Sequence, residues 1–174
     1  MGIRHIAHII SDLRLVVKSE WSRKSMIKET QQFIGFKLDD TQHALPLACI
    51  TRVIRVVDIT LLPNGPAHLL GVINLQGNII PVLNIREVFH FPQREVDLAD
   101  LMIIFQVQPQ KSLALIVNDV MDIINLTSDE LSAQETNDQY PQKTAISKQH
   151  GLMFIHDPLH FQHYSEGFDE QLPL

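Results

Sequence analysis

Leu69-Leu-Gly-Val-Ile-Asn-Leu-Gln-Gly-Asn-Ile-Ile-Pro-Val-Leu-Asn-Ile-Arg-Glu-Val-Phe89 decides how the rest of the chain is read. Leu69 to Leu75 and Ile79 to Ile85 are short apolar runs rich in Ile and Val, and Gln76-Gly77-Asn78 between them has hairpin turn chemistry. Neither run alternates cleanly with polar residues, so both strands are expected to be buried on both sides. Gly71 interrupts a strand and marks a bulge or a close backbone approach. Gly77 supplies a positive φ in the turn, and Pro81 removes a ladder donor and so favours an edge or a bulge. Together they indicate strongly curved strands, as a small closed barrel requires.

Outward from this hairpin the pattern stays β. Phe33, Gly35 and Phe36 lead to a polar turn at Asp39-Asp40-Thr41-Gln42, followed by Ala44 to Cys49 and the β-branched run Val53 to Val57. Pro63-Asn64-Gly65-Pro66 is a loop. Ile85 to Phe89 reads as one helical turn closed before Pro92, and Gln93 to Asp100 as a polar surface loop. Leu101 to Phe105 and Leu113 to Val117 form a second buried pair around Pro109-Gln110-Lys111-Ser112. Val120 to Leu126 and Gly151 to Ile155 are further strands. Asp157-Pro158 has the chemistry of an N-cap with proline in the first helical position, which predicts a short helix to about Tyr164. Ser128 to Gln142 is polar, and local mobility is expected there.

The N-terminal segment is of another kind. Residues 1 to 31 carry six Lys/Arg against three Asp/Glu, whereas the remaining 143 carry eight against seventeen. Ile3, Ile6, Ile10, Leu13 and Val17 recur at spacings of three and four and lie on one helical face. The plainer reading is a helix covering an open edge or end of its own barrel; docking on a partner or on a membrane surface, the latter with Trp21 near Arg23, Lys24 and Lys28, is the alternative. The expected organisation is a helical extension over 1–31, a β domain over 32–165 and a tail over 166–174.

Composition narrows the function. The chain of 174 residues is 45% hydrophobic and 20% charged, long enough for one domain or two small ones sharing a core. Net charge is -6, and no basic patch with interleaved aromatics points to nucleic acid. A single cysteine, Cys49, permits no internal disulfide and fits a reducing compartment. With no secretory signal and no run near the roughly 18 apolar residues a spanning helix needs, the cytoplasm is the expected location.

Catalytic patterns are missing: there is no Walker loop, dinucleotide fingerprint or Gly-x-Ser-x-Gly elbow. Cys49 lies in an apolar run and reads as an inert buried thiol. Asp39-Asp40 and Asp129-Glu130 read as solvated turns. His156, His160 and His163 are the only candidates for metal or enzymic chemistry, and a small metal-dependent enzyme is the rival function they suggest. The cap at Asp157 leaves His156 outside the helix and no fourth ligand is evident, so exposed or capping histidines are the preferred reading. No cofactor is expected, and apolar barrel surface favours a binding module.

The pattern Gly-Val-Ile-Asn-Leu-x-Gly-x-Ile-Ile-Pro-Val-x-x-Ile-Arg, from Gly71 to Arg86, resembles the central signature of the CheW family of chemosensory adaptors, and the resemblance extends from Phe33 to about Leu131 and more loosely to Phe161. It implies an all-β fold with short helices, two five-stranded SH3-like barrels packed on each other with strands passing between them. It also implies a noncatalytic adaptor that links the cytoplasmic tips of chemoreceptors to the regulatory domain of a CheA-like histidine kinase. By the same resemblance the receptor groove includes Val53, Gly71, Val72 and the segment around Val120, and Asn74-Leu75-Gln76-Gly77 occupies the family's Asn-Leu-Arg-Gly turn.

This chain departs from the family at functional positions. The turn arginine is Gln76, and a glutamate two residues beyond Val53 is Arg55, so an ion pair between those positions is absent. An exposed pair contributes at most about 1 kcal/mol, which leaves the fold intact and bears on partner choice. Asn118-Asp119-Val120 replaces the usual Asp-Gly-Val, and Lys143 to Gly151 replaces a clear Gly-centred repeat. A diverged member serving a pilus or other non-flagellar pathway, with a different partner, is the alternative within the same fold.

Overall fold

The computed structural model describes residues 30–63, 65–132, 143–147 and 150–165. The expected helix with its Ile3 to Val17 face, the Trp21 region, the polar stretch 133–142 and the tail 166–174 lie outside the described residues. In chain order the strands are β1 (Thr30–Leu38), β2 (Thr41–Pro46), β3 (Ile50–Arg55), β4 (Leu69–Leu75), β5 (Asn78–Leu83), β6 (Leu101–Gln108), β7 (Lys111–Val117), β8 (Asp119–Thr127), β9 (Leu131–Ser132), β10 (Lys143–Ser147) and β11 (Gly151–Ile155). One helical turn, α1 (Ile85–Val88), follows β5 as expected, and a 3-10 segment, Pro158–Ser165, follows β11.

The strands form two sheets, ordered β8-β1-β2-β11-β10-β9 and β3-β6-β7-β5-β4. The first and last parts of the chain thus build one sheet and the middle part the other. The expected five strands hold for the second sheet. The first has six, because the two-residue β9 adds to β10 at its edge. The second sheet closes on itself: past β3 the chain runs back along β4, where Thr60 exchanges both backbone hydrogen bonds with Val72, at 2.8 and 2.9 Å.

Three apolar clusters explain why the runs did not alternate. In β6, Ile103, Phe105 and Val107 join Phe36, Leu38 and Leu45 in a core between the sheets, while Met102 and Ile104 face a core inside the second sheet. β7 divides likewise, with Leu113, Leu115 and Val117 on one face and Ala114 and Ile116 on the other. A third cluster, Phe33, Ala44, Ile124, Leu126, Met153 and Ile155, fills the first sheet. Burying one such large side chain contributes about 1.5–3 kcal/mol, and strands used on both faces read as continuous hydrophobic sequence.

The central hairpin is more exposed than its sequence suggested. Val72, Ile73 and Ile80 to Leu83 are buried, but Asn74 and Asn78 are exposed and Ile79 is 41% exposed. The expectation of burial on both sides therefore holds at the base of the hairpin and fails at its tip, which projects beyond the cores.

Pro81 occupies an interior strand, not an edge. Both backbone polar groups of its partner Val72 bond Thr60, so the Val72–Pro81 pair exchanges no hydrogen bonds and the prolyl nitrogen faces away from β4. On that side the parallel pairing of β5 with β7 begins only at Val82. The ladder thus starts just past the missing donor.

Smaller differences concern boundaries and helix type. β2 starts at Thr41 and gives way to a 3-10 turn, Leu47–Cys49, before the expected end at Cys49; β3 ends at Arg55, after which Val56 N bonds Asp100 O at 3.2 Å. Asp157 does cap the C-terminal segment, its Oδ1 accepting from Leu159 N at 3.0 Å, but the coil is 3-10. Asp100, expected on the surface, is buried and accepts from Asp97 N at 2.8 Å and from Arg94.

Candidate interaction site

The hairpin tip is built from side chains that satisfy its backbone. Gln76 and Gly77 both have positive φ, 54° and 88°, the pattern of a type I′ turn that suits the twist of the flanking strands. Asn74 Oδ1 accepts from Gly77 N at 2.9 Å and holds the turn closed. At the base, Gly71 has φ +151° beside a register shift, and a Cβ there would stand 2.3 Å from Thr60 O. Both backbone readings of these glycines are borne out.

The polar partner of Gln76 is Arg52, whose Nη2 donates to Gln76 Oε1 at 3.2 Å. Arg55 instead lies across β3 from Leu101. The sequence comparison of positions 55 and 76 therefore missed the residue that meets the turn. A bulge between Ile50 and Arg52 shifts the β3 register, and no sequence spacing signals it.

Val53 and Arg55 pair with Ile103 and Leu101, and so stand on the face of β3 turned to the margin of the core between the sheets. Val53 is 37% exposed there. Val120 packs against the same core from β8. The structure thus places Val53 and Arg55 on one face of β3 and packs Val120 against the core between the sheets from β8, without a broad contact between the two strands among those described. It places Gly71 and Val72 at the seam with Thr60, and Asn74, Gln76 and Gly77 at the hairpin tip.

Asn118 and Asp119 hold the passage from β7 in one sheet to β8 in the other. Asn118 N donates to Lys37 O at 3.0 Å, and its Oδ1 accepts from Asp39 N at 2.8 Å. Asp119 is exposed, with Oδ1 accepting from Val120 N at 2.9 Å.

Asp39 and Asp40 form an exposed turn as expected, but the Asp39 carboxylate is not left to solvent alone. Asp39 sits at φ 51°, and buried Arg86 grips its carboxylate while also donating to Pro92 O at 2.8 Å. The hydrogen bond from Arg86 holds the Asp39 carboxyl below the usual carboxylate range. Arg86 in α1 thereby ties the central stretch to the β1–β2 turn, a contact 47 residues apart.

The histidines do not converge. His156 is 4% exposed and turned inward, while His160 and His163 are exposed. Among the described residues no three or more His, Cys, Asp or Glu side chains are placed to hold a metal ion. The partner of His156 is His43, also buried, with Nδ1 2.9 Å from His156 Nε2.

Their protons follow from the neighbours. Thr41 Oγ1 gives its hydrogen to Leu38 O at 2.7 Å, so His43 Nε2, 2.7 Å from Thr41 Oγ1, is the donor in that bond. Neutral His43 then accepts at Nδ1 from His156 Nε2. Phe36, Phe89 and Phe154 surround the pair. Burial pushes His43 down to about 4 and His156 well below its ordinary value, the charge of His43 adding to the effect on His156. Cys49 is half-buried, donates to Pro46 O at 3.0 Å, and is pushed up to about 11 by burial, which suppresses the thiolate.

These features define an all-β module of two packed sheets with a partly apolar, partly charged margin between them. The chain belongs to the CheW-like domain family, whose sequence profile matches residues 32–162. Among curated relatives it is 35% identical over 71 residues to the chemotaxis protein CheW of Helicobacter pylori, covering 41% of this chain and 43% of that protein. It is 25% identical over 126 residues to the chemotaxis protein CheW of Thermotoga maritima, covering 72% of this chain and 82% of that one. The chain thus matches less than half the length of the first relative and most of the second. Among solved structures, the scaffolding protein TtCheW of Thermoanaerobacter tengcongensis superposes with TM-score 0.70 at 23% identity, over 80% of this chain and 96% of that one, and shows the same fold.

Proposed function

We propose that this chain is a noncatalytic adaptor of a bacterial chemosensory complex, coupling the cytoplasmic tips of chemoreceptors to the regulatory domain of a CheA-like histidine kinase. Membership of the CheW-like family over residues 32–162 carries the reading. It is supported by β3, where the exposed Val53 and Arg55 share one face and offer apolar contact and charge to a partner segment. The adaptor domain runs over 32–165, with 1–31 and 166–174 appended. Residues Val53, Arg55, Gly71, Val72, Asn74, Gln76, Gly77, Asn118, Asp119 and Val120 shape its partner-facing surface. Of these, Gly71, Asn74 and Asn118 act by holding backbone in place. No helix among the described residues is long and apolar enough to cross a membrane, and the proposed partners place the work in the cytoplasm.

Calorimetry of the full chain against the regulatory domain of the host's CheA-like kinase tests the reading. Micromolar binding is the expected result, since a transient signalling interface needs no more. Loss of kinase coupling in favour of another pathway, such as pilus-based motility, is the second reading, and the Arg52–Gln76 contact favours it because that corner is differently charged here. A variant that restores arginine at position 76 would press it against Arg52, so a repair needs Arg52→Glu together with Gln76→Arg. Binding gained only in that variant would establish the second reading.

A further inference from the structure

The first sheet, ordered β8-β1-β2-β11-β10-β9, has a narrow joint at its middle. β2 and β11 run parallel and pair only as Phe154 with His43 and Ile155 with Ala44, after which His156 N closes the seam on Ala44 O at 3.0 Å. β10 and β11 pair along their whole length, so among the described residues they form a unit whose one ladder to β2 and β1 is that seam. The buried histidine pair straddles it, with His43 on β2 and His156 directly after β11. Neutral His43 fits because its Nε2 donates to Thr41 Oγ1 while its Nδ1 accepts from His156 Nε2. A proton added to His43 goes to Nδ1 and sets two N–H groups against each other across 2.9 Å. Phe36, Phe89, Phe91 and Phe154 surround His43, and Phe89 and Phe161 cover His156, so no other acceptor takes that hydrogen. Charged neighbours do not hold an imidazolium there either. Asp157 turns its Oδ1 to Leu159 N, His90 on the turn beside Phe89 is exposed, and His160 on the 3-10 segment adds a like charge when protonated.

We propose that proton uptake at His43 breaks its bond to His156 and releases the β10–β11 pair from β2, while the second sheet stays closed. This device needs no partner and stands apart from the adaptor reading. Opening bares Met153 and Ile155, which are buried with Phe33, Ile124 and Leu126, so the released state is a minor one at neutral pH. Phe161, 2% exposed and set against Phe105, keeps the 3-10 segment on the core between the sheets. In the released state both imidazoles reach water and recover their ordinary value of 6.5, whereas burial in the closed seam holds His43 down to about 4. Opening is therefore favoured as the pH falls below about 6.5 and gains nothing more from His43 below about 4. Between pH 7.5 and 5 the opening constant rises about 30-fold through His43 alone, and His156 adds a further factor.

Native-state hydrogen exchange of the full chain tests this, followed by mass spectrometry at pH 7.5 and 5 over a series of low urea concentrations and corrected for intrinsic exchange rates. Amides of Leu152 to His156 should open through a state that urea barely promotes, and those of β6 and β7 only through global unfolding, with a steep urea dependence. Opening at Leu152 to His156 should rise at least about 30-fold over that pH interval in the native chain. His43→Gln keeps an amide in the aromatic box and removes one titration, so the rise should shrink by about 30-fold, and it should vanish when His156→Gln is added. Amides of Leu152 to His156 that share the protection and urea slope of β6 and β7 at both pH values, or whose opening does not change with pH, overturn the proposal. That comparison is made within the native chain and decides even where a variant fails to fold. An undiminished rise in a folded His43→Gln chain overturns it as well.

Discussion

At the scale of single residues, backbone demands were legible in the sequence and distant polar partners were not. Gly71 and Gly77 are informative because only a missing Cβ suits their positions, and the two differ in cost. Gly71→Ala brings a Cβ to 2.3 Å from Thr60 O at φ +151°, whereas nothing lies within 4 Å of a Cβ at Gly77. Gly71→Ala should therefore lower unfolding free energy by about 3 kcal/mol or more, and Gly77→Ala by only about 1 kcal/mol, in urea titrations. The His43–His156 pair could not be read from spacing, because its members are 113 residues apart and meet only through the parallel pairing of β2 with β11. Its consequence is a pH dependence. Both histidines have depressed values in the folded state, so below about 6.5 the unfolded chain takes up protons that the folded chain refuses. Stability is full above about pH 6.5 and falls as the pH drops toward about 4, by about 3 kcal/mol for His43 alone. Urea midpoints between pH 7.5 and 4.5 should fall steeply in the native chain and less so in His43→Gln. Equal slopes would refute the assignment.

At the scale of elements, the long apolar runs of β6 and β7 gave the right strands because two-faced burial leaves a continuous hydrophobic signature. Features without an apolar signature escaped. β10, Lys143–Ser147, reads as polar, and its strand state comes from pairing with β11. Asp39 resembled a solvated turn because the group that claims it, Arg86, is supplied by α1. Two substitutions separate these kinds of support. Phe105→Ala removes a fully buried ring from the core between the sheets and should cost about 3–5 kcal/mol. Arg86→Ala strips Asp39 and Pro92 O of their donor and should cost about 1–3 kcal/mol. Thermal melts of the two variants rank them, and a larger loss for Arg86→Ala would place the joint, not the core, as the main source of stability.

At the scale of the whole molecule, the two-sheet architecture was legible through the Gly71 to Arg86 pattern, and the sixth strand of the first sheet was not. Of the candidate site, the strand placement of Val53, Arg55 and Val120 was legible, while the approach of Arg52 to Gln76 was not, because the bulge between Ile50 and Arg52 that sets the β3 register leaves no trace in sequence. An adaptor must hold two partners at once, and that demand separates it from a simple binder. Sedimentation velocity of receptor-tip fragment, kinase regulatory domain and this chain, alone and mixed, measures it directly. The account predicts a ternary species that forms only when this chain is present. Two binary complexes that displace each other, with no ternary species at any ratio, would contradict it.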